Sequence, residues 1–150
     1  MEVTTENILK EIEEVLQKNK DAKKGFAKAA DIVKDTSLRN YFQRKALSRK
    51  NFNDDLAREI KIAYPDLDIE SSFKGSVHRA WMDIKSFFSA NTDEAMLNEA
   101  VRGDQAAIDE YDDILDYPDL PIGLRSILLS QRAEIQKDIE ESKMFEEVYS

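Results

Sequence analysis

The sequence predicts an all-α protein: four long helices in one bundle, joined midway by a long crossover that carries a short extra helix. Three observations predict it. The 150 residues include only three prolines and four glycines, and no proline precedes Pro65, so helix breakers are rare and well separated. Apolar residues recur at alternating spacings of three and four, the period of a helix with one inward face. Strand-type alternation, tandem repeats and low-complexity tracts are absent. A chain of this length buries about 70% of its unfolded surface around one core. With 41% apolar residues to fill it, a single domain over residues 1–150 is expected.

The first helix is expected over about 5–34. Its stripe is Ile8, Ile12, Val15, Ala22, Phe26, Ala29 and Val33, with Thr5 as the N-cap. Lys34 to Ser37 forms the turn, and Thr36 or Ser37 caps a second helix over about 37–64. That helix repeats the pattern with Leu38, Phe42, Phe52, Leu56, Ile60 and Ala63. It stops near Tyr64, because Pro65 disfavours helical geometry in the residue before it. So short a turn makes the two helices antiparallel neighbours. The crossover takes 65–91: Asp66, Asp68, Ser71 and Ser72 read as loop, and Val77, Trp81, Ile84, Phe87 and Phe88 make an amphipathic helix over about 75–89. A third core helix over about 92–116 has Thr92 as N-cap and Asp93 and Glu94 at its positive end. It turns Leu97, Ala100, Ala107 or Ile108, Tyr111 and Leu115 inward. Tyr117-Pro118-Asp119-Leu120-Pro121 breaks it. Pro121, as first helical residue, opens a fourth helix over about 121–147 with Leu124, Leu128, Ile135, Ser142 and Phe145 inside.

Composition excludes several kinds of function. Twenty-two basic residues against 31 acidic ones leave a formal charge of −9, which argues against nucleic acid and anionic membranes as partners. With no cysteine, disulfides, thiolate nucleophiles, iron–sulfur clusters and cysteine-ligated zinc are out. A single histidine rules out any multi-histidine metal cage. Met1 to Glu6 lacks the basic start and apolar stretch of a secretory signal, and no apolar run reaches the roughly 20 residues of a spanning helix. The cytoplasm is the expected compartment.

The informative residues are polar ones at stripe positions. Asn19 falls between Val15 and Ala22, Arg49 and nearby Lys45 between Phe42 and Phe52, Asp104 between Ala100 and Ala107, and Gln131 between Leu128 and Ile135. Asp138 follows before Ser142. Counted from the turns at about 1.5 Å per residue, Asn19, Arg49, Asp104 and Gln131 share a level and form one mid-bundle polar layer. A guanidinium buried alone is very costly, so Asp104 is the expected partner of Arg49. Asn19 and Gln131 are expected to satisfy the remaining donors and acceptors. Tyr41 and Tyr111 are expected core aromatics whose hydroxyls reach this layer or solvent. Such a layer either fixes helix register or is the remnant of a ligand or metal site; register is the expectation.

Carboxylate-bridged di-iron bundles need Glu-x-x-His on two helices, and this chain has none. Asp31, Asp55, Glu99, Asp104, Glu134 and Asp138 remain as carboxylates able to take a hard cation weakly. A solvated acidic face is the expectation for them. His78 lies in the crossover with Arg79 and Trp81. As a general base it lacks a serine or cysteine nucleophile with an orienting acid, so capping and clamping the crossover helix is the expectation.

The stretch from Ser72 to Lys85, with Gly75, His78, Arg79 and Trp81 at its heart, resembles the crossover signature of a bacterial ferritin-like family of unknown function. The resemblance extends to Asn19, Asp21, Gly25, Ala29 and Ala30, to Arg49 and Phe52, and to Arg102 and Gly103. It implies a rubrerythrin-like bundle, linked by analogy to stress or metal handling. Val101 and the pair Asp104-Gln105 stand where such proteins are richer in acid, and 136–140 lacks a histidine expected there. The expected function is therefore a non-enzymatic, stress-associated or self-associating interaction module with no cofactor, forming a homo-oligomer. The alternative is a degenerate di-metal, iron-binding or oxidase protein using Asp31, Asp55, Glu99, Asp104 and Asp138. A third reading places an anionic small molecule at the Arg49–Asp104 layer.

Overall fold

The computed structural model describes residues 3–68 and 92–149. Four helices make it up: α1 Val3–Ile32, α2 Thr36–Ala63, α3 Asp93–Leu115 and α4 Ile122–Tyr149, with no strand among the described residues. The fold is the all-α four-helix bundle that the apolar periodicity predicts. Gly75, His78, Arg79 and Trp81, with the helix expected over 75–89, lie outside the described residues.

Three helix ends differ from expectation, each for a local reason. Helix α1 begins at Val3, so Thr5 is inside it rather than capping it. The cap of α2 is Asp35, whose carboxylate accepts the Leu38 N–H at 2.9 Å from an extended backbone. Thr36 and Ser37 thereby become its first helical residues, since an Asp at this position satisfies an orphan N–H as well as a hydroxyl does. Pro121 precedes α4, and its carbonyl accepts the Arg125 N–H at 2.9 Å. Thr92 caps α3 as expected, accepting from Ala95 N–H at 3.0 Å, and α2 gives way at Tyr64 before Pro65. The Arg125 guanidinium reaches back to the Leu115 and Tyr117 carbonyls at 2.9 and 2.7 Å. It thus satisfies acceptors left open where α3 ends.

Helix α1 packs on α2 and α3, and α4 packs on α3 and α2. All four neighbour contacts are antiparallel. The end of α1 meets the start of α3 where Lys34 N–H donates to Asp93. The start of α2 meets the end of α4, where Arg44 forks onto Glu141 at 2.8 and 2.9 Å. Helices α1 and α4 thus run one way, α2 and α3 the other. The chain leaves α2 at one end of the bundle and enters α3 at the opposite end, about 40 Å away for a helix of this length.

The core falls into two apolar halves. One gathers Ile8, Ile12, Leu56, Ile60, Ile108, Ile114, Leu124 and Leu128 near the α3–α4 turn. The other gathers Phe26, Ala29, Val33, Leu38, Phe42, Met96 and Leu97 near the α1–α2 turn. Of the expected inward residues of α3, Leu97, Ala100, Ile108 and Tyr111 are buried, Ala107 and Leu115 are only half-buried, and Ile114 turns inward beside Leu115. No helix among the described residues is long and apolar enough to cross a membrane.

Candidate functional site

Between the two apolar halves lies a buried polar layer built by all four helices. Successive turns of α2 place Lys45 and Arg49 on the inward face, each about 1% exposed. They continue the stripe of Leu38 and Phe42 because positions three and four apart share a helix face. Asp104 on α3 and Asp138 on α4 meet them. Lys45 Nζ donates to Asp104 Oδ2 at 2.5 Å, and Arg49 Nη2 bridges Asp104 Oδ1 at 3.1 Å and Asp138 Oδ2 at 2.9 Å. Two cations and two carboxylates cancel. None of the four leaves a buried polar atom unpaired.

Aromatic faces complete the cage. Lys45 Nζ sits 4.2 Å from the Phe26 ring centre, and the Arg49 guanidinium carbon 5.0 Å from that of Phe52, both within cation–π range. Burial dominates the electrostatics. It pushes the Lys45 ammonium below its ordinary pKa, with Asp104 opposing and Arg49 assisting. Burial also works against the Arg49 charge, but Asp104 and Asp138 together outweigh it and hold the guanidinium above its ordinary value. Burial raises Asp138, against the pull of Arg49 and Lys45.

A second network runs beside the ions. Asn19 Nδ2 donates to the Tyr111 hydroxyl at 3.2 Å, Tyr111 donates to Gln131 Oε1 at 2.6 Å, and Gln131 Nε2 donates to the Phe52 carbonyl at 3.0 Å. The Tyr41 hydroxyl donates to the Asp138 carbonyl at 2.8 Å and lies 2.5 Å from Ser142 Oγ. Both phenols are pushed above their ordinary pKa by burial and act here as neutral hydrogen-bonding groups.

The structure thus brings Asn19, Arg49, Asp104 and Gln131 into one mid-bundle region, with Arg49 on Asp104. It corrects the division of labour: Asn19 and Gln131 bond through Tyr111 instead of completing the Arg49–Asp104 pair. It also recruits Lys45 and Asp138. Their signal was present, Lys45 standing three residues after Phe42 and four before Arg49 on the apolar stripe, and Asp138 seven after Gln131.

The carboxylates proposed as metal ligands do not converge. Asp31 is exposed, Asp55 pairs with Arg58, and Glu99 pairs with Arg102. Asp104 and Asp138 are engaged by Lys45 and Arg49. Among the described residues no group of three or more His, Cys, Asp or Glu is placed to hold a metal ion. Among the described residues the donor set therefore does not fit a di-iron centre.

Outside the layer, α2 and α4 part to leave an open groove of about 890 Å³. Lys45 and Asp138 line its floor, with Arg44, Leu47, Glu134 and Met144 among its rim residues. Ser48 donates to Glu134 across it at 2.5 Å.

A family model described as Domain of unknown function (DUF2383) matches residues 7–117, which takes in Asn19, Lys45, Arg49, Asp104 and Tyr111. No curated protein matches.

Proposed function

Because the chain belongs to this family, whose description assigns no activity, we propose from its own residues that it is a non-enzymatic, ferritin-like bundle acting as a self-associating, stress-associated interaction module. The observation that carries the reading is the charge balance of the core. Lys45 and Arg49 are matched by Asp104 and Asp138 inside the bundle, so the polar layer spends its donors and acceptors on itself. A catalytic or metal-binding layer needs groups in reserve for a ligand, and the four charged side chains here are engaged with one another. Its role is to lock the register of four helices, since sliding α2, α3 or α4 by a turn would strand a buried charge and sliding α1 would strand the Asn19 amide. The ferritin-like part of the reading draws on α2 ending and α3 beginning at opposite ends of the bundle, the layout of a fold with one long crossover. A rigid scaffold with an open face between α2 and α4 suits docking more than turnover.

Size-exclusion chromatography with light scattering on protein purified without chelators, followed by elemental analysis, tests the reading. Concentration-dependent assembly with no stoichiometric metal is expected. A strict monomer at high concentration overturns the self-association. Stoichiometric iron with ferroxidase activity overturns the non-enzymatic role in favour of a di-metal protein.

A further inference from the structure

We infer that the seam between α1 and α3 is a proton-operated latch: a proton shared by the Glu14 and Glu110 carboxyls ties the first hairpin (α1 and α2) to the second (α3 and α4), and its loss loosens that half of the seam. Two bonds set the register. Asn19 on Tyr111 at 3.2 Å and Lys34 on Asp93 at 3.3 Å hold α1 and α3 as antiparallel neighbours. Counting from them brings two short rows to one height. Glu11, Glu14 and Lys18 stand three and four apart on α1; Glu110, Asp113 and Tyr117 stand three and four apart on α3 and just past its end. The Glu14 and Glu110 side chains meet there within hydrogen-bonding reach.

Two ionised carboxylates offer only acceptors to one another, so such a contact closes with a proton in it. The surroundings reinforce the demand. Glu110 is half-buried, with Asp113 adding negative charge and Lys18 opposing it. Glu11 keeps one carboxylate oxygen buried without a hydrogen-bond partner among the described residues, and Tyr117 lies against it. Lys10, one turn before Glu14, is exposed. Helix α2 meets α1 at this height through the neutral Asn53 amide on the Leu16 carbonyl. The Arg132 of α4 pairs with Asp112, about 200° round α3 from Glu110. Burial first, then Glu14, pushes the Glu110 carboxyl up to about 7 from an ordinary 4.5. The closed seam therefore binds the proton more tightly than an open one. As pH rises from about 4.5 to 7 the open fraction grows, by up to about tenfold per pH unit. Above 7 both states are ionised and the fraction levels off. The Asn19–Tyr111 bond and the ion layer beyond it hold the rest of the bundle, so the loosening is confined to the end where α1 begins and α3 finishes.

Hydrogen–deuterium exchange of the full chain from pH 5 to 8, read by mass spectrometry and corrected for the intrinsic pH dependence of exchange, tests the latch. At pH 7 the wild-type residues 8–15 and 108–115 are expected to be less protected than residues 38–52. Between pH 5 and 7 their protection should fall about tenfold or more, then level off. E110Q and E14Q each keep a hydrogen bond across the seam, amide to carboxylate, with no shared proton left to lose. Each should hold the low-pH protection up to pH 8, with circular dichroism confirming the fold of both. Wild-type protection that does not change with pH overturns the latch, and so does a fall that survives in either variant. Equal protection of the seam and of residues 38–52 at every pH overturns it as well, since the seam would then open only when the whole protein unfolds.

Discussion

Replacing Arg49 by Met removes one charge from a neutral buried cluster while keeping much of the side-chain volume. Asp104 retains Lys45 at 2.5 Å, but Asp138 loses the guanidinium that stood at 2.9 Å. One negative charge is then left uncompensated between two apolar halves, and breaking a buried pair in this way costs about 3–5 kcal/mol. That is a large share of the 5–15 kcal/mol typical of whole-protein stability. The defect has a built-in escape. Burial already raises the Asp138 pKa, and without Arg49 it rises further, so Asp138 takes a proton as pH falls. A carboxyl whose folded pKa exceeds its unfolded value gives a folded state that binds the extra proton. Stability in that window therefore increases as pH falls, by up to about 1.4 kcal/mol per pH unit. Urea denaturation of Arg49→Met at pH 7 and pH 5, read by circular dichroism, should show a severe loss at the higher pH and a smaller one at the lower. The double variant Arg49→Met/Asp138→Leu leaves the Lys45–Asp104 pair intact and neutral, so it should lose less than about 1.5 kcal/mol with little pH dependence. Equal losses for the single and double variants, at both pH values, would refute the reasoning.

Three further outcomes follow from single contacts. Tyr111→Phe removes the donor to Gln131 and the acceptor of Asn19; leaving those buried amides short of partners should lower stability by about 1–3 kcal/mol, measured by urea denaturation. Asp35→Ala should cost about 1 kcal/mol through loss of the α2 cap, with Thr36→Ala, already inside the helix, much milder; thermal melts of the two variants separate the assignments. Glu110, half-buried beside Glu14 with Lys18 and Asp113 near, is pushed up to about 7, chiefly by burial and then by Glu14. Its folded pKa lies above the unfolded value, so this contribution is full below about pH 4.5 and lost as pH climbs to 7. Glu110→Gln should flatten that slope, recovering about 1 kcal/mol above pH 7 once solvent screening of a half-exposed group is allowed for.

The bundle was legible because its signals are local and redundant. A stripe such as Ile8, Ile12, Val15 repeats its information every turn, and Pro65 and Thr92 mark boundaries by backbone chemistry alone. Level counting from the turns also placed Asn19, Arg49, Asp104 and Gln131 together, since rise per residue is nearly constant along a helix. Which of them bond to which was not legible. Asn19 and Gln131 turn to the Tyr111 hydroxyl, a choice set by angles between side chains on three helices. Lys45 reads equally well as a solvated lysine or a core cation until α3 is known to bring Asp104 to it. Asp35 lost the cap to its hydroxyl neighbours in the sequence reading because three adjacent residues can all serve there, and only the backbone angle of one decides.

Parallel placement of α1 and α4 puts the beginning of the first helix and the end of the last at opposite poles of the molecule. A force applied between those two points acts along the rods, so many side-chain contacts must slip at once before anything gives. The charged girdle at mid-height is the toughest place for such slippage, since moving past it means dragging ions through oil. A protein wired this way resists stretching as a lap joint does, and would yield far more easily to a pull that peels one hairpin from the other.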